Sequence, residues 1–204
     1  MILGTHNSAT GGKLLWWLRP LAWIINPTSK CQDKTIQEQL KDGVRFFNLQ
    51  VAYVNGKWRF SHGLALYKEE VLLTMRQMRA WATKHKPIYF QLYLDRSFWC
   101  KQDVDEFEWL IEGLKQELCN ENFVMLDTRV EGTNYHPYHS GKRLNAVEKY
   151  WTLAWSRCDA KSWLDRLPLP RYHAKKYNKK YKESCQEEWH EKAFLMLDFY
   201  DYGL

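Results

Sequence analysis

Residues 1–12 read MILGTHNSATGG, and this stretch decides the fold. Ile2-Leu3-Gly4 is an apolar strand start, Thr5-His6-Asn7-Ser8 a small polar cluster with an imidazole, and Gly11-Gly12 a loop. A strand ending in such a cluster presents chemistry at the carboxyl edge of a barrel or an open α/β sheet. A second stretch, GVRFFNLQVAYVNGKWRFSHG over Gly43 to Gly63, reads as a long strand, a turn at Asn55-Gly56 and a return strand to His62. A single strand-end histidine is ordinarily a structural hydrogen-bonder. His6 and His62, each closing a strand, together predict a general acid–base pair.

Outward from these strands the chain alternates. Thr35 to Glu38 has capping-box spacing and Gly43 suits a helix end, which predicts a short helix over 36–42. Val71, Leu72, Met75, Met78 and Ala82 recur at helical spacing within a helix expected from Lys68 to Lys84. Ile88 to Leu94 is a strand, Asp103 to Leu118 a helix, and Phe123 to Leu126 a strand reaching Asp127. Glu131 to Arg143 reads as loop, Tyr150 to Trp155 as a strand, and Ala193 to Tyr200 as a buried strand carrying Asp198. Strands alternating with helices predict a mainly parallel sheet with helical crossovers.

Composition narrows the class. The 204 residues suit one domain, 1–204, and 16% aromatic content supplies a large core. No apolar run approaches the ~20 residues of a membrane span. The start lacks a secretory pattern, so cytoplasmic residence with peripheral membrane association is expected. Cys31, Cys100, Cys119, Cys158 and Cys185 are odd in number and show no C-x-x-C, which argues against a disulfide framework or a zinc site. The net charge of +6 suits an anionic membrane or an anionic substrate. It also suits nucleic acid, but no recognised motif accompanies it and that partner is not expected.

Two segments have two readings each. KLLWWLRPLAWIINP, Lys13 to Pro27, is either a buried helical turn or an interfacial segment in which Trp16, Trp17 and Trp23 meet headgroups. LPLPRYHAKKYNKKYK, Leu167 to Lys182, is either a solvated face or a contact for anionic headgroups or nucleic acid.

Two imidazoles and a carboxylate supply the proton transfers of an in-line displacement at phosphorus, and a cationic group or metal must also balance charge on the phosphate oxygens. One ring takes a proton from the attacking hydroxyl and the other returns one to the leaving oxygen, both near neutral pH. These motifs resemble those of the phosphatidylinositol-specific phospholipase C X-domain superfamily. Gly4 to Thr10 is similar to its first-histidine motif, Gly43 to Leu49 to its G-x-R-x-x-D/E strand, and Ser61-His62-Gly63 to its second-histidine motif. Leu195 to Tyr200 is similar to the closing strand of bacterial members.

The resemblance implies an α/β TIM-like barrel, small, distorted or incomplete at this length. It implies His6 as base, His62 as acid and Asp198 behind His6. Asn7, Asn48, Gln50, Arg45, Tyr93 and Tyr200 would be the substrate contacts, and Trp16, Trp17 and Trp23 the membrane interface. The expected protein is a monomeric, metal-independent phosphodiesterase acting on a phospholipid headgroup. Calcium-dependent members carry acidic ligands on the second and third strands, where this chain has Asn48, Gln50 and Tyr93; with Asn7 that makes four candidates and no carboxylate, and a calcium site without carboxylates would be very weak. Bacterial calcium-independent members carry Arg where this chain has Gln50. Arg45, Arg59 and Lys57 are the candidate replacements. A catalytically weakened lipid-binding module of the same fold is the alternative.

Overall fold

The computed structural model describes residues 2–95, 104–130, 141–145, 150–154, 167, 169–184 and 193–202. In chain order its elements are β1 (Ile2–Thr5), a 3-10 turn (Ser8–Gly11), a second 3-10 turn (Trp16–Leu21), α1 (Ala22–Ser29), α2 (Ile36–Lys41), β2 (Phe46–Val54), β3 (Lys57–His62) and β4 (Ala65–Glu70). Then come α3 (Val71–Trp81), β5 (Ile88–Leu94), α4 (Val104–Glu117), β6 (Phe123–Val130), β7 (Gly141–Asn145), β8 (Tyr150–Ala154), α5 (Pro170–Ser184) and β9 (Ala193–Leu197).

The main series of strands runs β6-β5-β2-β1-β9-β8-β7. Neighbours are parallel from β6 through β8, and β7 is antiparallel to β8. The β3–β4 hairpin branches from the carboxyl half of β2. Among the described residues no pairing joins β6 to β7, so the barrel is open.

Local chemistry explains several boundaries. Thr35 caps α2 by accepting from Glu38 N, and Glu38 returns a bond to Thr35 N at 2.8 Å. Asn55 and Gly56 both adopt positive φ, +52° and +73°, as a tight hairpin turn requires. Pro20 falls inside the second 3-10 turn, and the α-helical ladder begins only after it.

Strand alternation sorts the side chains into two populations. Leu49, Val51, Leu92 and Leu94 lie on the outer phase, where they join Leu40, Met75, Met78, Phe107 and Leu114 of the surrounding helices in one core. The inner phase holds a smaller apolar cluster of Phe46, Leu126, Phe194 and Met196, packed by Ile2 and Tyr89. The Phe46 and Phe194 rings lie 4.6 Å apart. One step further along the same phase the residues turn polar. Asn48 faces Gln91 across the β2–β5 ladder, and Gln50 faces Tyr93. The amino end of the barrel is thus plugged with rings, and its carboxyl end is left for chemistry.

Gly4 sits in that plug. A Cβ there would lie 2.4 Å from Phe46 Cδ1. Phe46 is fully buried and also packed by Phe194, so the ring has little room to retreat. Gly4→Ala is expected to cost about 1–3 kcal/mol by overpacking, read as a lower midpoint in urea unfolding with an unchanged slope.

The observed elements correct three expectations. The helix foreseen from Lys68 to Lys84 begins at Val71, because Ala65 to Glu70 pairs with β3 as a strand. That pairing across the turn at Gly63 outcompetes the helical spacing of the segment. The loop foreseen over 131–143 ends in β7, whose first three residues are Gly141 to Arg143; residues 131–140 lie outside the described ones. The closing strand stops at Leu197, so Asp198 stands just beyond it. Cys100, Cys158 and Cys185 also lie outside the described residues, as does Trp155.

Candidate active site

The turn after β1 is assembled by its own small polar residues. His6 N donates to Leu197 O at 3.0 Å, which carries the ladder one residue past β1. Asn7 then adopts a left-handed conformation, φ 44° and ψ 53°, which reverses the chain into the 3-10 turn. Thr10 Oγ1 donates to Asn7 O at 2.8 Å and accepts from Cys31 N at 2.9 Å and Gln32 N at 3.0 Å. Gln32 Nε2 donates to His6 O and Leu197 O. The loop after α1 is thereby fastened to the strand end that carries His6.

On this frame the two imidazoles face each other, with ring centroids 6.4 Å apart and planes 77° from parallel. His6 Nδ1 lies 2.9 Å from Asp198 Oδ1. A carboxylate accepts, so Nδ1 carries the proton and Nε2 keeps its lone pair. His62 Nδ1 donates to Ser29 O at 2.7 Å, which fixes the same tautomer in the second ring. Both Nε2 atoms then require a donor. Asn7 Nδ2 supplies it, 3.3 Å from His6 Nε2 and 3.1 Å from His62 Nε2. Asn7 Oδ1 is buried and has no partner.

Burial holds His62 below the ordinary imidazole pKa, and His6 adds to the effect, while Ser29 O, Asp95 and Asp198 oppose it. Cys31 Sγ lies 3.7 Å from Asn7 Nδ2 and 3.8 Å from His62 Nδ1. Burial, with the Asp198 charge behind it, pushes its thiol well above the usual range. Asp95, buried at the end of β5, accepts from Gly63 N at 3.2 Å and so steadies the turn after His62.

The floor of the site is built of neutral amides. Asn7 N donates to Asn48 Oδ1 at 3.2 Å, and Asn48 Nδ2 donates to Gln91 Oε1 at 3.2 Å. Gln50 Oε1 is buried without a partner, and Tyr93 stands beside Gln50 in the ladder.

His6, His62, Asp198, Asn7, Asn48, Gln50 and Tyr93 therefore converge at one end of the barrel. Arg45 and Tyr200 do not. Arg45 precedes β2 on its outer phase, and Nη1 donates to Leu40 O and Val44 O. Tyr200 packs in the outer core and its hydroxyl donates to Asp42 Oδ2 at 2.5 Å. The other candidate cations are also committed elsewhere. Arg59 Nη1 donates to Lys68 O, and Lys57 Nζ meets Glu70 Oε1 at 2.8 Å.

Three contributors escape sequence reasoning: Cys31, the Ser29 carbonyl and Gln32. No motif marks them, because they reach the site only through the docking of the α1–α2 connection.

Trp16 and Trp23 are 75% and 76% exposed, and Trp17, Leu21 and Ile24 are exposed beside them. Leu18 and Ile25 anchor the segment from beneath, so Lys13 to Pro27 is not a wholly buried turn. α1 links this segment to the site, since Ser29 at its end accepts from His62 Nδ1. Over Pro170 to Ser184 the basic stretch is a helix, with Arg171, Lys175, Lys176 and Lys179 exposed. No described helix is long and apolar enough to cross a membrane.

No family model and no curated protein matches the chain. Solved structures do. Phosphatidylinositol-specific phospholipase C from Staphylococcus aureus, in a structure concerned with its membrane binding, aligns over 98% of this chain and 86% of its own, with a TM-score of 0.65 at 14% identity. A double mutant of that enzyme aligns with a TM-score of 0.66 at 15% identity, over 98% of this chain and 86% of its own. The Listeria monocytogenes enzyme aligns over 97% of this chain and 87% of its own, with a TM-score of 0.57 at 14% identity. The fold of this chain is therefore that of the phosphatidylinositol-specific phospholipase C barrel, with no pairing between β6 and β7 among the described residues.

Proposed function

We propose that this chain is a phosphodiesterase of the phospholipase C type that works at a membrane surface, with 1–204 as its single domain. The observation that carries this reading is the pair of facing imidazoles, 6.4 Å apart, one backed by Asp198 and the other by Ser29 O. His6 Nε2 takes the proton of the attacking hydroxyl, and Asp198 stabilises the imidazolium that forms. His62 protonates the leaving oxygen. With phosphatidylinositol the attacking group is the headgroup 2-hydroxyl, and the products are a cyclic phosphodiester and diacylglycerol. Asn7, Asn48, Gln50 and Tyr93 present hydrogen-bonding groups to the headgroup.

The test is phosphorus NMR of phosphatidylinositol vesicles incubated with the protein. A cyclic phosphodiester resonance, undiminished by EDTA, is expected. Vesicles of phosphatidylinositol and of other phosphodiester lipids that all remain intact would overturn the reading.

The acid role has a consequence for pH. His62 must carry a proton to act, and burial disfavours that proton in the free protein. An anionic diester bound beside His62 restores it. Because kcat/KM reports the free enzyme, its basic limb is expected below pH 6.5, with activity falling as pH rises. A pH profile still rising above 7 would reassign the acid.

One observation favours a second reading, a lipid-binding module with weakened catalysis. No cation among Arg45, Arg59 and Lys57 reaches the site, and an uncharged Gln50 oxygen stands there unpartnered. Vesicle binding without turnover would select it.

A further inference from the structure

The geometry points to a binding site for a soft divalent cation, Zn²⁺ by its donor chemistry, formed by His6, Cys31 and Asp198, whose loading switches the acid–base pair off. One ligand atom from each residue lies within 4.8 Å of the other two. The residues come from three separate places: the end of β1, the connection after α1, and the end of β9. The tertiary fold, not local sequence, makes the triad.

The donor set selects the ion. An imidazole nitrogen, a thiolate and a carboxylate oxygen are the ligand types of tetrahedral zinc, whereas calcium and magnesium prefer all-oxygen shells. Thiolate and carboxylate together cancel the ion's charge. His6 and Asp198 side chains are 26% and 14% exposed, which leaves an entry path, while Cys31 is closed off behind them. A fourth ligand is at hand. Asn7 is buried, its Oδ1 has no partner, and its amide nitrogen lies 3.7 Å from Cys31 Sγ. Rotating that amide by half a turn brings the oxygen to the ion, and water or a phosphate oxygen is the alternative.

The step balances without redox chemistry. Three bonds form to the ion, from Cys31 Sγ, His6 Nδ1 and Asp198. The Cys31 proton leaves to solvent, and the His6 proton moves from Nδ1 to Nε2. His6 then has no lone pair at Nε2 and cannot accept a proton from a hydroxyl. Metal binding stands on the donor geometry alone. The inhibition rests on the proposed role of His6, and the two fail in distinguishable ways.

The experiment titrates chelator-treated protein with Zn²⁺ in calorimetry and with Co²⁺ in absorption spectroscopy. One equivalent with a thiolate-to-Co²⁺ charge-transfer band is expected. Cys31→Ser is expected to lose that band and at least about 100-fold in Zn²⁺ affinity, while Cys119→Ser keeps both. Should Cys31→Ser fail to fold, Asp198→Asn decides instead: a clear loss of Zn²⁺ affinity is expected, and wild-type affinity overturns the site. Absence of a thiolate band, or a Cys31→Ser protein that binds Zn²⁺ as tightly as wild type, overturns the site. Tight binding with undiminished cleavage overturns the inhibition only.

Discussion

His6→Ala is expected to lower kcat/KM for phosphatidylinositol cleavage by about 10²–10⁴-fold, the range for removing a positioned general base. The geometry sets the size of the effect. His6 Nε2 faces the space between the rings, and its tautomer is held by Asp198 at 2.9 Å. Alanine leaves no group in that place to take the proton. Asp198→Asn is expected to fall short of that loss, since the ring remains while its preferred tautomer and the support for its positive charge go. His62→Ala is expected to match His6→Ala, but less so for a substrate whose leaving group is already acidic and needs no proton. Vesicle binding serves as the control: His6→Ala should bind like wild type. If His6→Ala retains wild-type turnover, the acid–base reading fails whatever the fold.

The second large effect lies at the surface. Trp16→Ala with Trp23→Ala is expected to weaken vesicle binding by about 30–150-fold. Transfer of each indole from water into the headgroup boundary contributes roughly 1–1.5 kcal/mol, about half of a full burial, and 1.4 kcal/mol is tenfold in affinity. Both rings are about three-quarters exposed, so their removal leaves no cavity and stability should hardly change. Cleavage of a short-chain, monomeric substrate should persist. Sedimentation with vesicles separates these outcomes, and unchanged binding by the double variant would remove Trp16 and Trp23 from the interface. Basic residues of α5 add a salt-dependent part, because exposed charges are screened beyond about 10 Å at 0.1 M salt.

Much of this protein is legible in its sequence wherever the signal is local. Alternation in β1, β2 and β5 separates inward from outward residues, and so predicts which side chains meet inside the barrel. Asn55-Gly56 specifies a hairpin, and Thr35 with Glu38 specifies a helix start, because each motif satisfies backbone groups within a few residues. The His6 and His62 motifs place two imidazoles at strand ends for the same reason.

What the tertiary structure decided is everything that depends on contacts between distant segments. Asp198 meets His6 across 192 positions of chain. Ser29 O and Cys31 enter the site because Thr10 and Gln32 pin their loop to β1. Ala65 to Glu70 becomes strand because β3 offers it a ladder, and a paired ladder outweighs a weak helical preference. Arg45 and Tyr200 leave the site because backbone phase and a carboxylate partner, Asp42, turn them outward. Periodicity tells which face a side chain occupies. Only the packed chain tells which other faces it meets, because hydrogen bonds at this site are formed by loops whose paths are set by docking rather than by their own sequence.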